Sequence, residues 1–203
     1  MFGVREDANL ALTVAMPLFC ADIRSEAAYV ARKDEILDAL AAHFRRTPFA
    51  LQWRLNNLDT RGRGAAGAYL TVTGTSAEDA DSGQVGRGNG VTGLIAPARP
   101  ASGEAAAGKN AVAHAGKVYS VLSHHLAQRA HARCPSLLEV YVNLMARIGE
   151  PVDRPWAAVQ VVLPDGMTLS DVELAIHDVI ETGIANLPAF RDELSRGAWR
   201  PDG

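Results

Sequence analysis

The sequence has few cysteines and no long apolar run, and its charges nearly balance. Cys20 and Cys134 are too few for a disulfide framework, so we expect two reduced thiols. No apolar run approaches the roughly 18 residues that span a bilayer. The N-terminus lacks the basic and apolar segments of a secretory signal. The reduced cysteines indicate a cytoplasmic protein, and a net charge of −3 leads us to expect no nucleic-acid and no membrane partner.

Nothing in the composition indicates disorder. Hydrophobic residues make up 48% and charged residues 21% of the 203 residues, as is usual for soluble globular proteins. The chain is long enough to bury a substantial core, as one large domain or two small packed layers.

Basic residues and glycine are concentrated in one stretch of this mildly acidic protein. Residues 54–117 hold seven basic and five acidic side chains. Twelve of the 18 glycines lie between Gly62 and Gly116. A basic, glycine-rich stretch can bring backbone amides and cations close to an anion, although a long solvated surface loop has the same composition.

The first part of the chain is predicted to contain three strands and one helix. Ser25 is a plausible N-cap, and apolar residues recur at helical spacing from there to about Arg46. The turn Thr60-Arg61-Gly62-Arg63-Gly64 predicts a hairpin. The strands are expected at residues 10–19, 50–58 and 67–73, with Pro17 at an edge or bulge of the first. The irregular stretch that follows, residues 74–110, is long enough to indicate a functional loop.

The second part repeats this pattern loosely. A helix is predicted from Ala111 to about Arg133, and a last helix is predicted to be capped by Ser170. Two strands lie between them, at residues 137–146 and 156–163. We therefore predict an α+β fold built from strand-helix-strand-strand units, with helices packed on one face of a mainly antiparallel or mixed sheet.

Local motifs give one candidate for anion binding. The run Gly86-Arg87-Gly88-Asn89-Gly90 fits neither the Rossmann fingerprint nor a P-loop. Gly108-Lys109-Asn110 precedes a predicted helix, so Lys109 and the first helical amides could hold a phosphate, but Gly-Lys before a helix is also a common surface feature. His124, His125 and His131 lack metal-ligand spacing and are expected on a solvated face.

Several blocks of sequence resemble the archaeal-type methionine adenosyltransferases, which are S-adenosylmethionine synthetases. The blocks are Tyr69–Glu78, Asp81–Asn89, Gly93–Ile95, Arg99–Ser102, Glu104–Asn110, His114–Tyr119, Glu139–Val142 and Ile148–Asp153. Gly3–Glu6 and Leu12–Met16 resemble a mid-chain segment of that family. The whole of residues 1–203 thus resembles its C-terminal half, with a first unit at 1–73, a ligand loop at 74–110 and a second α/β unit at 111–203.

The resemblance implies transfer of the adenosyl group of ATP to the sulfur of L-methionine, with Mg²⁺ bound alongside ATP and K⁺ as a further cation. It implies that Lys109 and Arg87 are the catalytic phosphate contacts. Asp81, with Asp79 as a stand-in, would bind the methionine ammonium or a ribose hydroxyl. The remaining substrate- or ATP-binding residues that it implies are Gly86, Gly88, Asn89, Gly108, Asn110, His114 and Lys117. No residue is assigned to a metal.

The sequence also departs from the family pattern. Gly90 stands where an arginine is common, Ala111 where a proline follows Lys-Asn, and Ser82 where an aspartate is common. Members of the family are roughly twice as long, and no Gly-His-Pro-Asp motif of their N-terminal half occurs here. Three interpretations remain: a subunit of a split, oligomeric enzyme whose other chain supplies that half, a non-catalytic regulatory or interaction subunit of a full-length synthetase, and a stand-alone module with altered chemistry.

Overall fold

The computed structural model describes residues 2–75, 89–95 and 98–199, which form two compact units. The first unit contains residues 2–75 and Arg147–Glu150. The second contains the rest of the described chain, residues 89–95, 98–146 and 151–199. Both units combine helices with mixed or antiparallel strands, so the predicted α+β class is confirmed.

The first unit holds five strands and one long helix. Its elements are β1 (Phe2–Glu6), β2 (Asn9–Val14), β3 (Leu18–Phe19), α1 (Glu26–Phe44), β4 (Ala50–Leu55) and β5 (Leu70–Thr71). β2 lies in the centre of a three-stranded sheet, antiparallel to β1 and parallel to β4. β3 and β5 form a separate parallel pair. Ser25 caps α1 as predicted, since its hydroxyl oxygen accepts a hydrogen bond from the Ala28 amide at 3.1 Å.

Two predictions for this unit were wrong. The predicted strand 10–19 is interrupted at Pro17, and the Met16 amide donates to Asn56 Oδ1 at 2.8 Å instead of to a neighbouring strand. The predicted hairpin around residues 60–64 does not form, because β4 pairs with β2 and β5 pairs with β3. The amides of Gly62 and Gly64 donate instead to the Glu26 carboxylate, at 2.6 and 2.8 Å.

The second unit packs three helices and a two-stranded antiparallel sheet around one core. Its elements are α2 (Ala115–Arg133), β6 (Glu139–Met145), β7 (Trp156–Val162), α3 (Glu173–Ala185) and α4 (Leu187–Ser195). α2 is the central helix, and Leu122 and Leu126 on it are almost fully buried. β6, α3 and α4 all pack against α2. The first turn of α2 therefore belongs to a helix that is packed firmly into the core of the second unit.

One detail of this unit differs from the prediction. Thr168, and not Ser170, forms the capping box, which begins a short 3₁₀ turn at Leu169–Asp171 before α3. The sheet of this unit consists of β6 and β7, which pair antiparallel. Both cysteines are free thiols, as expected.

Candidate functional site

The residues predicted to contact phosphate lie at the beginning of α2 and in the loop before it. α2 begins at Ala115, whereas the sequence predicted a start at residue 111. The Asn110 side chain explains the later start, because its Oδ1 accepts hydrogen bonds from the amides of Val112 (2.8 Å) and Ala113 (3.0 Å). Lys109 therefore lies in the loop that precedes the helix and does not open it.

His114 and Lys117 connect that loop to the helix. His114 is the N-cap of α2, and its Nδ1 accepts a hydrogen bond from the Lys117 amide at 3.3 Å. The neutral imidazole in this arrangement carries its proton on Nε2. The Lys117 ammonium donates to the Lys109 carbonyl at 2.7 Å. The first turn of α2 thus holds the backbone of Lys109 through the Lys117 side chain.

Lys109 is buried and paired with an acidic residue. Only 6% of its side chain is exposed, against 35% for its ion-pair partner Glu104. The Lys109 ammonium donates to Glu104 Oε1, and the same oxygen lies 3.7 Å from His114 Nε2. The Glu104 amide donates to Ser102 Oγ at 3.0 Å, which holds the carboxylate-bearing residue in place.

Two glycines serve the geometry of this site in different ways. A Cβ atom on Gly116 would lie 2.9 Å from both Cγ and Cδ of Glu104 and 3.0 Å from His114 Cε1. Only glycine leaves room at this position of α2 for the glutamate as it stands. Gly108 has φ +78°, a left-handed conformation that side chains disfavour, and it turns the chain immediately before Lys109.

Asn89 joins the site through its backbone. Its carbonyl accepts hydrogen bonds from the amides of Ala106 (2.9 Å) and Ala107 (3.1 Å). Ala105 and Ala106 are fully buried, so this junction is a packed part of the second unit. The end of the Gly-Arg-Gly-Asn motif is therefore adjacent to the residues that lead into Gly108 and Lys109.

The second unit thus brings together six of the predicted site residues: Asn89, Gly108, Lys109, Asn110, His114 and Lys117. The other five predicted residues lie outside the described residues, namely Asp79, Asp81, Gly86, Arg87 and Gly88. The geometry of the described six supports a common site around the start of α2.

Sequence analysis missed two side chains that the structure makes prominent. Glu104 was not among the candidate site residues, although an acidic residue five positions before a lysine in a basic stretch was a usable signal. His125 was expected on a solvated face, but its ring lies 4.0 Å from that of Trp199 and 5.8 Å from that of Phe190, measured between ring centroids. Burial among these groups, reinforced by Arg129, lowers the pKa of His125.

The described residues do not form a metal centre by themselves. No group of three or more His, Cys, Asp or Glu residues that could hold a metal ion occurs within residues 2–75, 89–95 and 98–199. In the same part of the chain, no helix has the length and apolar character needed to cross a membrane.

Known proteins of one family are similar to this chain in sequence. The family model for S-adenosylmethionine synthetase (AdoMet synthetase) matches residues 1–198. The S-adenosylmethionine synthase of Methanoregula boonei is 37% identical over 201 residues, covering 97% of this chain and 49% of the relative. That of Aeropyrum pernix is 38% identical over 203 residues, covering 97% and 49%.

The extent of the match is similar in other archaea. The S-adenosylmethionine synthase of Archaeoglobus fulgidus is 36% identical over 204 residues, covering 98% of this chain and 50% of the relative. The chain spans about half the length of the curated relatives it matches. Because the family model covers nearly every residue, the chain belongs to the S-adenosylmethionine synthetase family.

Proposed function

We propose that this chain contributes phosphate- and substrate-binding residues to a methionine adenosyltransferase, which forms S-adenosylmethionine from ATP and L-methionine. The observation that carries the proposal is the convergence of Asn89, Lys109, His114 and Lys117 at the start of α2. Asn89 belongs to the Gly-Arg-Gly-Asn motif, whereas Lys109 lies in the loop before α2 and His114 and Lys117 lie at the start of that helix. Their convergence in a chain of this family supports a common ligand site.

The reaction needs positive charge at a defined place. The thioether sulfur of methionine attacks the 5′ carbon of the ATP ribose, and the C–O bond to the triphosphate breaks. The leaving triphosphate gains negative charge as that bond breaks, so cations fixed in advance stabilise the transition state. Lys109 and Lys117 are the lysines available at this site, and Arg87 is proposed to act with them. Mg²⁺ would arrive with ATP, and K⁺ would be a further cation of the complete enzyme.

The proposal includes a further polypeptide segment. The curated relatives are about twice as long as this chain, and their unmatched half corresponds to the segment that we expect to contain the Gly-His-Pro-Asp motif. We propose that a separate subunit supplies that half in a homo- or hetero-oligomer. Co-purification from the natural source, followed by an assay of S-adenosylmethionine formation, tests this part.

Lys109→Ala tests the site. In the complete assembly, this change is expected to lower turnover by a factor on the order of 10² while the protein stays folded, since it removes a cation that faces developing negative charge. The folded state is checked by thermal unfolding. If the alanine variant unfolds, Lys109→Met keeps the buried stem and removes only the charge. Arg133→Ala, which removes an exposed cation from the last turn of the same helix, is the control and should leave turnover unchanged.

Unchanged turnover in a folded Lys109→Ala assembly would overturn the proposed role of the site. The alternative would then be favoured, in which the chain is a non-catalytic regulatory or interaction subunit of a full-length synthetase. That alternative predicts that adding the chain changes the activity of such a synthetase, and that Lys109→Ala does not alter the change.

A further inference from the structure

Glu104 occupies the centre of the candidate site, although no sequence pattern assigned it a role. Its carboxylate contacts the Lys109 ammonium, and Oε1 lies 3.7 Å from His114 Nε2. Its own backbone amide is held by Ser102 Oγ at 3.0 Å. Its side chain packs over Gly116, where a Cβ atom would come within 2.9 Å of it. These contacts fix Glu104 from its backbone to its carboxylate.

A buried ammonium group requires a fixed partner. Only 6% of the Lys109 side chain is exposed, and removing a cation from water is costly unless an opposite charge and hydrogen bonds compensate. Glu104 supplies the opposite charge. Without that carboxylate, the lysine stem is expected to rotate and to carry the ammonium toward water.

The same carboxylate faces the helix cap. His114 uses Nδ1 to accept from the Lys117 amide at 3.3 Å, so the proton on Nε2 is directed toward the Glu104 side. Lys117 in turn donates to the Lys109 carbonyl at 2.7 Å. Glu104 therefore connects the cationic end of Lys109 to the first turn of α2.

We propose that Glu104 is a positioning residue: its carboxylate, lodged over Gly116, holds the Lys109 ammonium where the triphosphate of ATP is bound. This inference rests on the proposed function. Glu104 is not expected to touch the triphosphate itself, because two negative charges repel. It acts through Lys109, because the position of the Lys109 ammonium determines how well that cation stabilises the negative charge developing on the leaving triphosphate.

Gly116→Ala tests this without removing any charged group. The new Cβ would lie 2.9 Å from Cγ and Cδ of Glu104 and 3.0 Å from Cε1 of His114, so the Glu104 side chain, which is 35% exposed, must move toward water. This movement leaves the buried Lys109 ammonium less well compensated and costs some stability, which the higher helix propensity of alanine offsets in part. Misplacing a catalytic group by about 1 Å can cost on the order of 10²-fold in rate, so we expect turnover to fall at least ~10-fold in the complete assembly.

The control is Gly103→Ala. Gly103 neighbours Glu104 in sequence, its φ is not left-handed, and a Cβ there meets nothing within 4 Å. This variant should keep normal turnover and thermal stability. A fall in kcat for Gly116→Ala in an assembly that is still folded, with the KM for ATP unchanged, would separate positioning from a purely structural role, because lost stability alone would not change kcat selectively.

Glu104→Gln and Lys109→Ala complete the experiment, with kcat and the KM for ATP measured for each single variant and for the double variant. If Glu104 acts only through Lys109, the single variant Glu104→Gln lowers kcat. The same change has no further effect on kcat when Lys109 is already alanine.

If Lys109→Ala is impaired while Gly116→Ala and Glu104→Gln are normal, the positioning role is refuted and the proposed function stands. If the double variant is much slower than Lys109→Ala, Glu104 acts independently, and the inference is likewise overturned. A normal Lys109→Ala enzyme refutes the proposed function itself.

Discussion

Replacing Tyr29 with phenylalanine removes one hydroxyl group that joins α1 to two other segments of the first unit, the turn after β4 and the residue before β5. This hydroxyl donates to Asp59 Oδ2 at 2.9 Å. It accepts from Asn56 Nδ2 at 2.9 Å and from the Tyr69 amide at 3.2 Å. Tyr29 is the buried residue of α1, with 3% of its surface exposed. The lost hydrogen bonds therefore cannot be replaced readily by water.

The loss in the free energy of unfolding depends on which hydrogen bonds the three partners of the hydroxyl retain. Asp59 remains paired with the Lys33 ammonium at 2.6 Å, and Asn56 Nδ2 still donates to the Met16 carbonyl at 2.8 Å. The Tyr69 amide keeps no other hydrogen-bond partner within the described ranges. One unsatisfied donor and two weakened contacts suggest a loss of about 2 kcal/mol in the free energy of unfolding.

Urea unfolding monitored by circular dichroism measures this loss, and hydrogen exchange should locate it in α1, β2 and β4. Tyr141→Phe is the matched control, because this half-buried tyrosine on β6 hydrogen-bonds through its hydroxyl to the side chains of Glu139 and Arg99, which water can also solvate, so a smaller loss is expected there. Burial, and secondarily the contact with Asp59, raise the pKa of Tyr29. The stabilisation it provides is thus present below about pH 10 and is lost at higher pH, so wild type and variant should converge there. A change below about 0.5 kcal/mol at neutral pH would refute the reasoning.

Three further changes test the second unit. Gly183→Ala would place a Cβ atom 2.1 Å from Cδ2 of the fully buried Leu126, so overpacking should lower stability by about 1–3 kcal/mol in urea unfolding, less any gain in helix propensity. Burial, followed by the nearby Asp153, raises the pKa of Tyr119 to about 12. Stability should therefore fall as the pH rises from about 10 toward 12, and Tyr119→Phe should reduce this dependence, leaving the part due to Tyr29, in thermal unfolding at graded pH. Because the pKa of His125 is lowered, stability should fall as the pH drops below about 6.5. His125→Gln should weaken this loss of stability at acid pH, whereas the control His131→Gln, at an exposed position, should not change it.

The sequence by itself determined the family, the α+β class and the longer elements. α1 and its Ser25 cap, most of α2, and the strands β6 and β7 were predictable, because helical periodicity, alternation and caps are local properties of the chain. The resemblance to known synthetases predicted a site that includes Asn89, Lys109 and Lys117. In the structure the Asn89 carbonyl accepts from the amides of Ala106 and Ala107, and the Lys117 ammonium donates to the Lys109 carbonyl.

Only the tertiary structure decided which strands pair and which charges meet. Strand pairing depends on segments distant in the chain, which is why the expected hairpin gave way to the parallel pairs of β4 with β2 and of β5 with β3. The 60–64 turn was instead shaped by hydrogen bonds to Glu26, 36 and 38 positions away in sequence. The Lys109–Glu104 ion pair depends on the room that Gly116 leaves on α2. Local patterns do not determine such contacts, because burial and the room for a counter-charge arise only once segments pack together.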